Sequence, residues 1–279
     1  MRFGCCINMV ASGPDGIGAE HLCELEHMGY DYVEMPLAEM MGLDEQKFLE
    51  LRKKMDRLTI GCEVCNNFFP KHIRLTGQKV HMEMVLSYAE KALTRANVLG
   101  ASCVVFGSGA AKNVPDGTSL KRGYQQVAEL LNQIAPLAAE RDIVICIEPL
   151  RKQECNLINT FDEGVRLADE IGHPNIKVLA DYFHMMAEAE PMSHLCGHGG
   201  RYLAHVHFSS SGRKFPGYQD EAEYHEFFNE LKKIGYDSRI SCEAYSGNFM
   251  AEAPMALGFL KHMDAIAKGG DGSVQQGID

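Results

Sequence analysis

The chain has 279 residues, of which 46% are hydrophobic, and this is enough to build one large core. Its formal net charge is −11, and because phosphate binding needs concentrated Lys and Arg, we expect no nucleic-acid partner. The N-terminal segment MRFGCCINMV lacks the long apolar run of a signal peptide, and no stretch approaches the roughly 18 apolar residues of a membrane span. With ten scattered cysteines and no regular cysteine framework, the composition predicts a cytoplasmic protein with reduced thiols.

Short β-rich apolar runs alternate with longer amphipathic segments along the whole chain. The runs that we predict to be strands are residues 3–10, 32–36, 60–68, 103–108, 143–150, 176–184, 203–209 and 240–246. The segments that we predict to be helices are residues 18–28, 44–57, 79–99, 118–140, 162–172, 186–198, 220–234 and 251–268. In the fourth of these segments, Val127, Leu130, Leu131 and Ile134 show the spacing of one apolar helix face.

Several runs are hydrophobic at every position, as in the segment IVICI at 143–147, and this is typical of parallel strands that are buried on both faces. Eight strand–helix pairs in about 270 residues match the (β/α)₈ TIM barrel. A doubly wound open sheet is the alternative, but no GxGxxG follows the first strand to support it. We therefore predict a single α/β domain, a TIM-barrel catalytic domain over residues 1–268, followed by a polar, glycine-rich C-terminal tail at 269–279.

Four of the later predicted strands each end in a residue that is able to bind a metal ion. These residues are Glu148, Asp181, His207 and Glu243. Catalytic side chains of a TIM barrel project from the C-terminal ends of the strands, and adjacent strands lie about 4.8 Å apart, so the four should converge on one point. A carboxylate after a buried apolar run is costly unless it is paired or coordinated, and a divalent cation removes the repulsion between three of them. One imidazole with three carboxylates suits Mn²⁺, Mg²⁺ or Co²⁺.

Two further pairs of residues could also bind a metal ion, but one member of the first pair and both members of the second are interpreted as structural. His205 and His207 share one strand face, and we assign the ligand role to His207 because it lies nearer to the open end of the barrel. His205 is then expected to pack inside the barrel or to support the ligands. Cys62 and Cys65 form a CxxC within a predicted strand, where residues three apart point to opposite faces, so we expect no redox or zinc role for them.

Several segments between Ile147 and Tyr245 resemble a known family. They are IEPLRKQECN, LADYFHM, HVHFSSSGRKFPG and SCEAY. They resemble the xylose isomerase-like TIM-barrel superfamily and, within it, the sugar phosphate isomerase/epimerase group that includes the D-tagatose and D-psicose 3-epimerases. The resemblance implies that Glu148, Asp181, His207 and Glu243 bind one divalent ion, Mn²⁺ first, with Mg²⁺ or Co²⁺ as alternatives. It also implies that Glu148 and Glu243 serve as the acid/base pair.

The resemblance extends to three substrate-binding positions. They are Glu154, six residues after Glu148, His184, three after Asp181, and Arg213, six after His207. These offsets agree with the epimerase pattern. The resemblance therefore implies a metal-dependent sugar epimerase or isomerase, which acts on a ketose or a related polyol ketone through an enediolate. The partners that it implies are a small sugar and, as a homo-oligomer, further copies of the chain in a dimer or tetramer.

One departure leaves the sugar open. The segment after the first strand reads INMVASGPDG and lacks the aromatic pair of typical 3-epimerases, and the chain contains no Trp. Return of the proton to the same carbon from the other side gives epimerisation, whereas return to the adjacent carbon gives aldose–ketose isomerisation. Hydroxypyruvate isomerase and inosose isomerase or dehydratase are alternatives within the superfamily. An AP endonuclease or a non-catalytic sugar-binding subunit is the alternative from another class, but the nuclease needs three zinc ions and a basic groove.

Overall fold

The backbone consists of eight strands that alternate with helices, and the computed structural model describes residues 1–269, apart from the side chain of residue 220. The strands are β1 Arg2–Cys6, β2 Tyr32–Pro36, β3 Gly61–Asn66, β4 Cys103–Phe106, β5 Val144–Ile147, β6 Ile176–Asp181, β7 Leu203–Phe208 and β8 Arg239–Cys242. All neighbouring strands are parallel, and β8 pairs with β1 to close the barrel. The prediction of a single-domain (β/α)₈ TIM barrel is confirmed.

Every strand is followed by at least one helix. The helices are α1 Leu22–Met28, α2 Leu37–Met41, α3 Glu45–Met55, α4 Met82–Val98, α5 Gly109–Lys112, α6 Leu120–Ala139, α7 Phe161–Ile171, α8 Tyr182–Ala187, α9 His194–Tyr202, α10 Glu221–Lys233 and α11 Phe249–Ala267. Short 3₁₀ helices lie at Ile7–Val10, Ala19–His21 and Tyr218–Asp220. Among the helices of residues 1–269, none combines the length and the hydrophobicity that crossing a membrane requires.

The interior of the barrel is filled in layers along the strand direction, as is usual for this architecture. The lower layer is apolar and consists of Tyr32, Val64, Cys103, Val105, Cys146 and Leu179. Gly4 on β1 makes room for the Tyr32 ring, since a Cβ at Gly4 would lie 2.2 Å from that ring. The next layer towards the C-terminal ends of the strands is polar and contains the fully buried residues Glu34, His205 and Ser241. Polar side chains therefore already lie inside the barrel, beneath its open end.

A second hydrophobic layer lies between the strands and the helices. Ile145 and Ile147 of β5 belong to this outer layer, whereas Cys146 belongs to the inner one. The helix α6 contributes Val127 and Leu131, both fully buried. The run IVICI is thus buried on both faces, as the sequence predicted.

The ends of several predicted elements were wrong. The predicted strand at 176–184 stops at Asp181, because its carboxylate accepts the backbone N–H groups of Phe183 at 2.8 Å and His184 at 3.4 Å and so caps α8. The predicted helix at 186–198 is two helices, α8 and α9, and Pro191 lies in the break between them. The predicted tail, 269–279, lies outside the described residues from position 270 onward.

The two cysteines of the CxxC lie closer together than the sequence predicted. Cys62 and Cys65 both belong to the outer hydrophobic layer, and their Sγ atoms are 3.8 Å apart. The register between β2 and β3 shifts after Val33, so that Glu63 is an extra residue in β3. Because this bulge interrupts the alternation of side chains, the expectation of opposite faces was wrong.

Eight of the ten cysteines are buried as free thiols, and the two exposed ones are Cys23 and Cys196. Within the barrel, the Sγ atoms of Cys103 on β4 and Cys146 on β5 are 3.3 Å apart. Burial raises the pKa of the Cys5 thiol on β1. The buried cysteines thus act as small hydrophobic side chains of both layers.

Candidate active site at the barrel mouth

The predicted metal ligands converge at the C-terminal end of the barrel. Glu148 directly follows β5, and Glu243 directly follows β8. Asp181 is the last residue of β6, and His207 is the penultimate residue of β7. The ligand atoms of these side chains all lie within 4.8 Å of one another. The structure therefore brings the four residues into one cluster, while their role as metal ligands stays a prediction.

The two ring nitrogens of His207 face different carboxylates. Nδ1 lies 3.1 Å from Oε1 of Glu148 and 2.8 Å from Oε2 of Glu243, so this nitrogen points into the cluster. Nε2 points down the barrel and lies 2.8 Å from Oε1 of Glu34. An ionised carboxylate only accepts hydrogen bonds, so Glu34 favours the tautomer with the proton on Nε2. Nδ1 faces two carboxylates in the same way, so without a metal ion it also holds a proton, and an ion bound in the cluster would take the place of that proton while Glu34 keeps the one on Nε2.

Glu34 contacts a member of the cluster, and the sequence reasoning missed it. It is fully buried in β2, and its Oε2 lies 2.9 Å from Nε2 of His205 and accepts a hydrogen bond from Ser241 Oγ at 2.5 Å. Burial raises the pKa of Glu34, but His207 and His205 outweigh this effect and hold the pKa well below its usual range. The signal was present in the sequence, since a single carboxylate stands inside the otherwise apolar strand YVEMP.

Arg213 lies across two of the predicted ligands. Its Nη1 donates to Oδ2 of Asp181 at 2.7 Å, and its Nη2 donates to Oε2 of Glu243. The guanidinium also lies over the ring of Phe183, 4.6 Å from the ring centre. Burial lowers the pKa of Arg213, but the charges of Asp181 and Glu243 outweigh this and raise it. The predicted substrate-binding arginine is thus a cation at the edge of the carboxylate cluster.

The two carboxylates predicted to act as acid and base have different electrostatic surroundings. Burial raises the pKa of Glu148, and although His207 opposes this effect, the pKa stays above its usual range. Burial also raises the pKa of Glu243, but Arg213 and His207 outweigh it and hold the pKa below its usual range. Such a separation suits a pair in which one carboxyl group holds a proton while the other accepts one.

A cavity of about 490 Å³ opens above the cluster, within the usual size of a small-molecule site. Its lining includes Glu148, Glu154, His184, Arg213 and Glu243. His184 is buried and its Nδ1 accepts the N–H of Arg151 at 3.3 Å. Glu154 is more exposed and accepts a hydrogen bond from Nε of Arg151 at 2.7 Å. The three predicted substrate-binding residues therefore border the same space as the predicted acid and base, and their roles stay predictions.

A family model described as "Xylose isomerase-like TIM barrel" matches residues 23–266 of this sequence. This match covers most of the chain, including every predicted ligand and every predicted substrate-binding residue. The chain belongs to the xylose isomerase-like TIM-barrel family. The predicted resemblance to this family is confirmed.

Two relatives that this chain matches are named as sugar epimerases. A D-psicose 3-epimerase of Ruminiclostridium cellulolyticum is 31% identical over 125 residues, which cover 45% of this chain and 42% of the relative. An L-ribulose 3-epimerase of Methylomonas sp. is 26% identical over 225 residues, which cover 80% of this chain and 76% of the relative. The first of these matches thus spans less than half the length of the relative.

The fold is shared with solved structures over nearly the whole chain. The crystal structure of a D-allulose 3-epimerase from Methylomonas sp. in complex with D-allulose superposes with a TM-score of 0.83 at 21% identity. The superposition covers 94% of this chain and 97% of that chain. At this level of identity the likeness concerns the fold, and the function of this xylose isomerase-like barrel has to be argued from its own residues.

The donor set of this xylose isomerase-like barrel fits a hard divalent cation. Three carboxylates and one imidazole nitrogen provide oxygen and nitrogen ligands, and the cluster contains no thiolate. Two ligands of one Mg²⁺-sized ion lie at most roughly 4.2 Å apart, since each ligand bond is about 2.1 Å long. The separations of up to 4.8 Å in the cluster need only a small contraction to reach this geometry.

Another cavity lies away from the barrel mouth. It has about 610 Å³, and its lining includes Leu120 and Tyr124 of α6 and Lys152 of the loop after β5. Neither the predicted ligands nor His184 and Arg213 reach it. Although this cavity is larger, we place the site at the barrel mouth because there the buried, electrostatically perturbed carboxylates meet.

Proposed function

We propose that this protein is a divalent-metal-dependent ketose 3-epimerase. The observation that carries the proposal is the cluster of Glu148, Asp181, His207 and Glu243 beneath one cavity, with its ligand atoms within 4.8 Å of one another. The names of the relatives support a sugar substrate, because they are D-psicose and L-ribulose 3-epimerases. Mn²⁺ as the ion, a cytoplasmic location and a homo-oligomer stay predictions.

The four clustered residues would hold the ion in this proposal. His207 would bind through Nδ1, and Glu34 would keep the proton on Nε2 through their 2.8 Å contact. When bound, a divalent cation polarises the carbonyl oxygen of a ketose and so lowers the free energy of the enediolate. Arg213, at 2.7 Å from Asp181, would direct its remaining N–H groups towards the oxygens of the sugar.

Two carboxyl groups would move the proton. Glu243, which Arg213 and His207 keep ionised, would remove the proton from the carbon next to the ketose carbonyl. Glu148, whose pKa lies above its usual range, would return a proton to the same carbon from the other side. The reverse reaction exchanges these roles. His184 and Glu154, which border the same cavity, would fix the hydroxyl groups so that the correct carbon faces both carboxyl groups.

Incubation of the purified protein with a panel of ketoses, ketose phosphates and inososes in D₂O with Mn²⁺ tests the proposal. We expect deuterium at C3 of a ketose together with the C3 epimer as product. An aldose product with deuterium at C2 would instead show aldose–ketose isomerisation and would overturn 3-epimerisation. Metal analysis of the purified protein checks the ion, for which one Mn²⁺-like ion per chain is expected and three zinc ions or none would contradict the proposal.

A pair of glutamate variants tests the assignment of the base. Glu243→Gln keeps the size of the side chain but removes the proton acceptor, so we expect turnover to be lost with the fold retained. Glu83→Gln, at an exposed position of α4, is the matched control and should keep full activity. An active Glu243→Gln enzyme would show that another group takes the proton.

A further inference from the structure

Lys112 is a charged residue in a place where charge is costly. Its side chain is fully buried, with 0% exposed, and lysine is almost never fully buried unless it is paired. Within the described part of the chain, no salt bridge joins it to a carboxylate. Its Nζ donates one hydrogen bond, of 3.2 Å, to the backbone carbonyl of Glu148 and lies 5.4 Å from the ring centre of Phe106. Burial lowers the pKa of Lys112 as a result.

The segment that carries Lys112 is fitted closely to the segment that carries Glu148. We call residues 107–114 the β4 turn and residues 148–156 the β5 turn. A Cβ at Gly107 would lie 2.0 Å from Oε2 of Glu148, and a Cβ at Gly109 would lie 2.9 Å from Cδ1 of Leu150 and 3.1 Å from the carbonyl oxygen of Glu154. At Gly109, where the near atoms include a backbone oxygen of the β5 turn, only a residue without a side chain allows the two turns to approach this closely.

Hydrogen bonds fasten the far ends of the same two turns. The N–H of Asn156 donates to Oδ1 of Asn113 at 2.9 Å. In return, the side chain of Asn156 accepts from the N–H of Val114 and donates to its carbonyl oxygen, both at 2.9 Å. Lys112 provides the bond at the end nearest to the cluster of ligands. The β4 turn and the β5 turn are therefore joined at both ends.

We propose that Lys112 is a positioning residue, which holds the backbone at Glu148 so that its carboxylate reaches the site. This inference rests on the proposed function, since it gives Lys112 a part in the chemistry of Glu148. An uncharged side chain of similar length would fill the same space without the cost of desolvating an ammonium group. The ammonium group donates its hydrogen bond to the residue whose carboxylate must be placed correctly. Glu154 lies on the same β5 turn, with its carbonyl oxygen close to Gly109.

The test compares the full-length protein with Lys112→Met, which keeps the length but removes the charge, and with Lys112→Arg. Three quantities are measured: hydrogen exchange of peptides that cover residues 148–156, affinity for Mn²⁺, and kcat and KM for the ketose found active. For Lys112→Met we expect faster exchange in this segment, and about 10- to 100-fold losses in Mn²⁺ affinity and in kcat with KM nearly unchanged. Lys112→Arg should recover most of both losses.

Two results would overturn the inference. One is a folded Lys112→Met protein with wild-type Mn²⁺ affinity and kcat but a lower melting temperature, which is the result expected if Lys112 only stabilises the fold. The other is a loss that Lys112→Arg does not recover. If Lys112→Met does not fold, Asn156→Ala removes the side-chain hydrogen bonds to Val114 at the exposed end of the two turns. It should also speed hydrogen exchange at 148–156 and weaken Mn²⁺ binding. Wild-type values of both quantities would count against the inference. A wild-type protein without epimerase activity would refute the proposed function alone, because the exchange measurement does not depend on turnover.

Discussion

Replacement of Gly107 with alanine is expected to damage the site while leaving the barrel intact. Gly107 directly follows β4 and lines the cavity at the barrel mouth. The added methyl carbon would lie 2.0 Å from Oε2 and 3.2 Å from Cδ of Glu148. The backbone at Gly107 is not in the left-handed region, so alanine brings no backbone strain, and the effect comes from the methyl group.

The expected loss follows from the overlap. A carbon and an oxygen that are not bonded need roughly 3.3 Å between them, so the carboxylate must move by about 1 Å or more. A misplacement of about 1 Å lowers the rate of a positioned reaction by roughly 100-fold. That loss corresponds to about 2.7 kcal/mol of transition-state stabilisation. Because the same oxygen belongs to a predicted metal ligand, Mn²⁺ affinity should fall as well.

The assay measures kcat and KM for the ketose that the substrate panel in D₂O identifies. A calorimetric titration with Mn²⁺ and a thermal melt accompany it. Gly61→Ala is the matched control, because Gly61 is exposed at the start of β3 and an added Cβ there meets nothing within 4 Å. Both variants should melt close to the wild type, and only Gly107→Ala should lose activity. A Gly107→Ala enzyme with kcat within about threefold of wild type would refute the claim that the carboxylate position of Glu148 limits the rate.

Three further predictions concern the surroundings of the cluster. Glu34→Gln replaces the acceptor that faces Nε2 of His207 at 2.8 Å, so Mn²⁺ affinity should fall by about 10- to 100-fold in a titration, and unchanged affinity would contradict the role of Glu34. Arg213→Ala should raise KM or lower kcat with Mn²⁺ binding retained, and loss of the metal would show that Arg213 supports the ligands instead. For Glu20, burial raises the pKa, but hydrogen bonds from Ser12 and Gly13 outweigh it and lower the pKa to about 2. Glu20 therefore stabilises the fold fully above its unfolded pKa and less as the pH falls towards 2. Urea unfolding should show Glu20→Gln less stable by at most about 1 kcal/mol at pH 7, since the side chain is 34% exposed, and the difference should shrink at pH 3.

The cluster could be predicted from the sequence because each of its members stands at the end of a buried strand. A strand that is buried on both faces leaves few positions where a carboxylate is tolerated, and its C-terminal end in a barrel is one of them. Once Glu148 and Asp181 are recognised in this way, convergence follows from the closure of the barrel. The same reasoning failed for the end of β6, because capping of α8 by Asp181 ends the strand earlier than hydrophobicity suggests.

Glu34 and Lys112 show two different limits of sequence reasoning. Glu34 left a signal, a carboxylate within an apolar strand, but its partners come from β7 and β8 and become visible only when the barrel closes. Lys112 left no such signal, because it follows β4 in the short helix α5, where a lysine is usually exposed. Its burial depends on how closely the two turns pack around Gly107 and Gly109, and this depends on tertiary structure.

The reactivity of the buried thiols can report how each part of the barrel opens. Eight cysteines are buried, and seven of them lie on strands, among them Cys5 on β1, Cys103 on β4 and Cys242 on β8. An alkylating reagent should reach Cys23 and Cys196 without any opening of the structure, and each buried thiol only when its own part of the structure opens. The rate at each cysteine, read by mass spectrometry, would thus give the free energy of local opening strand by strand, with the cysteines that the sequence already contains.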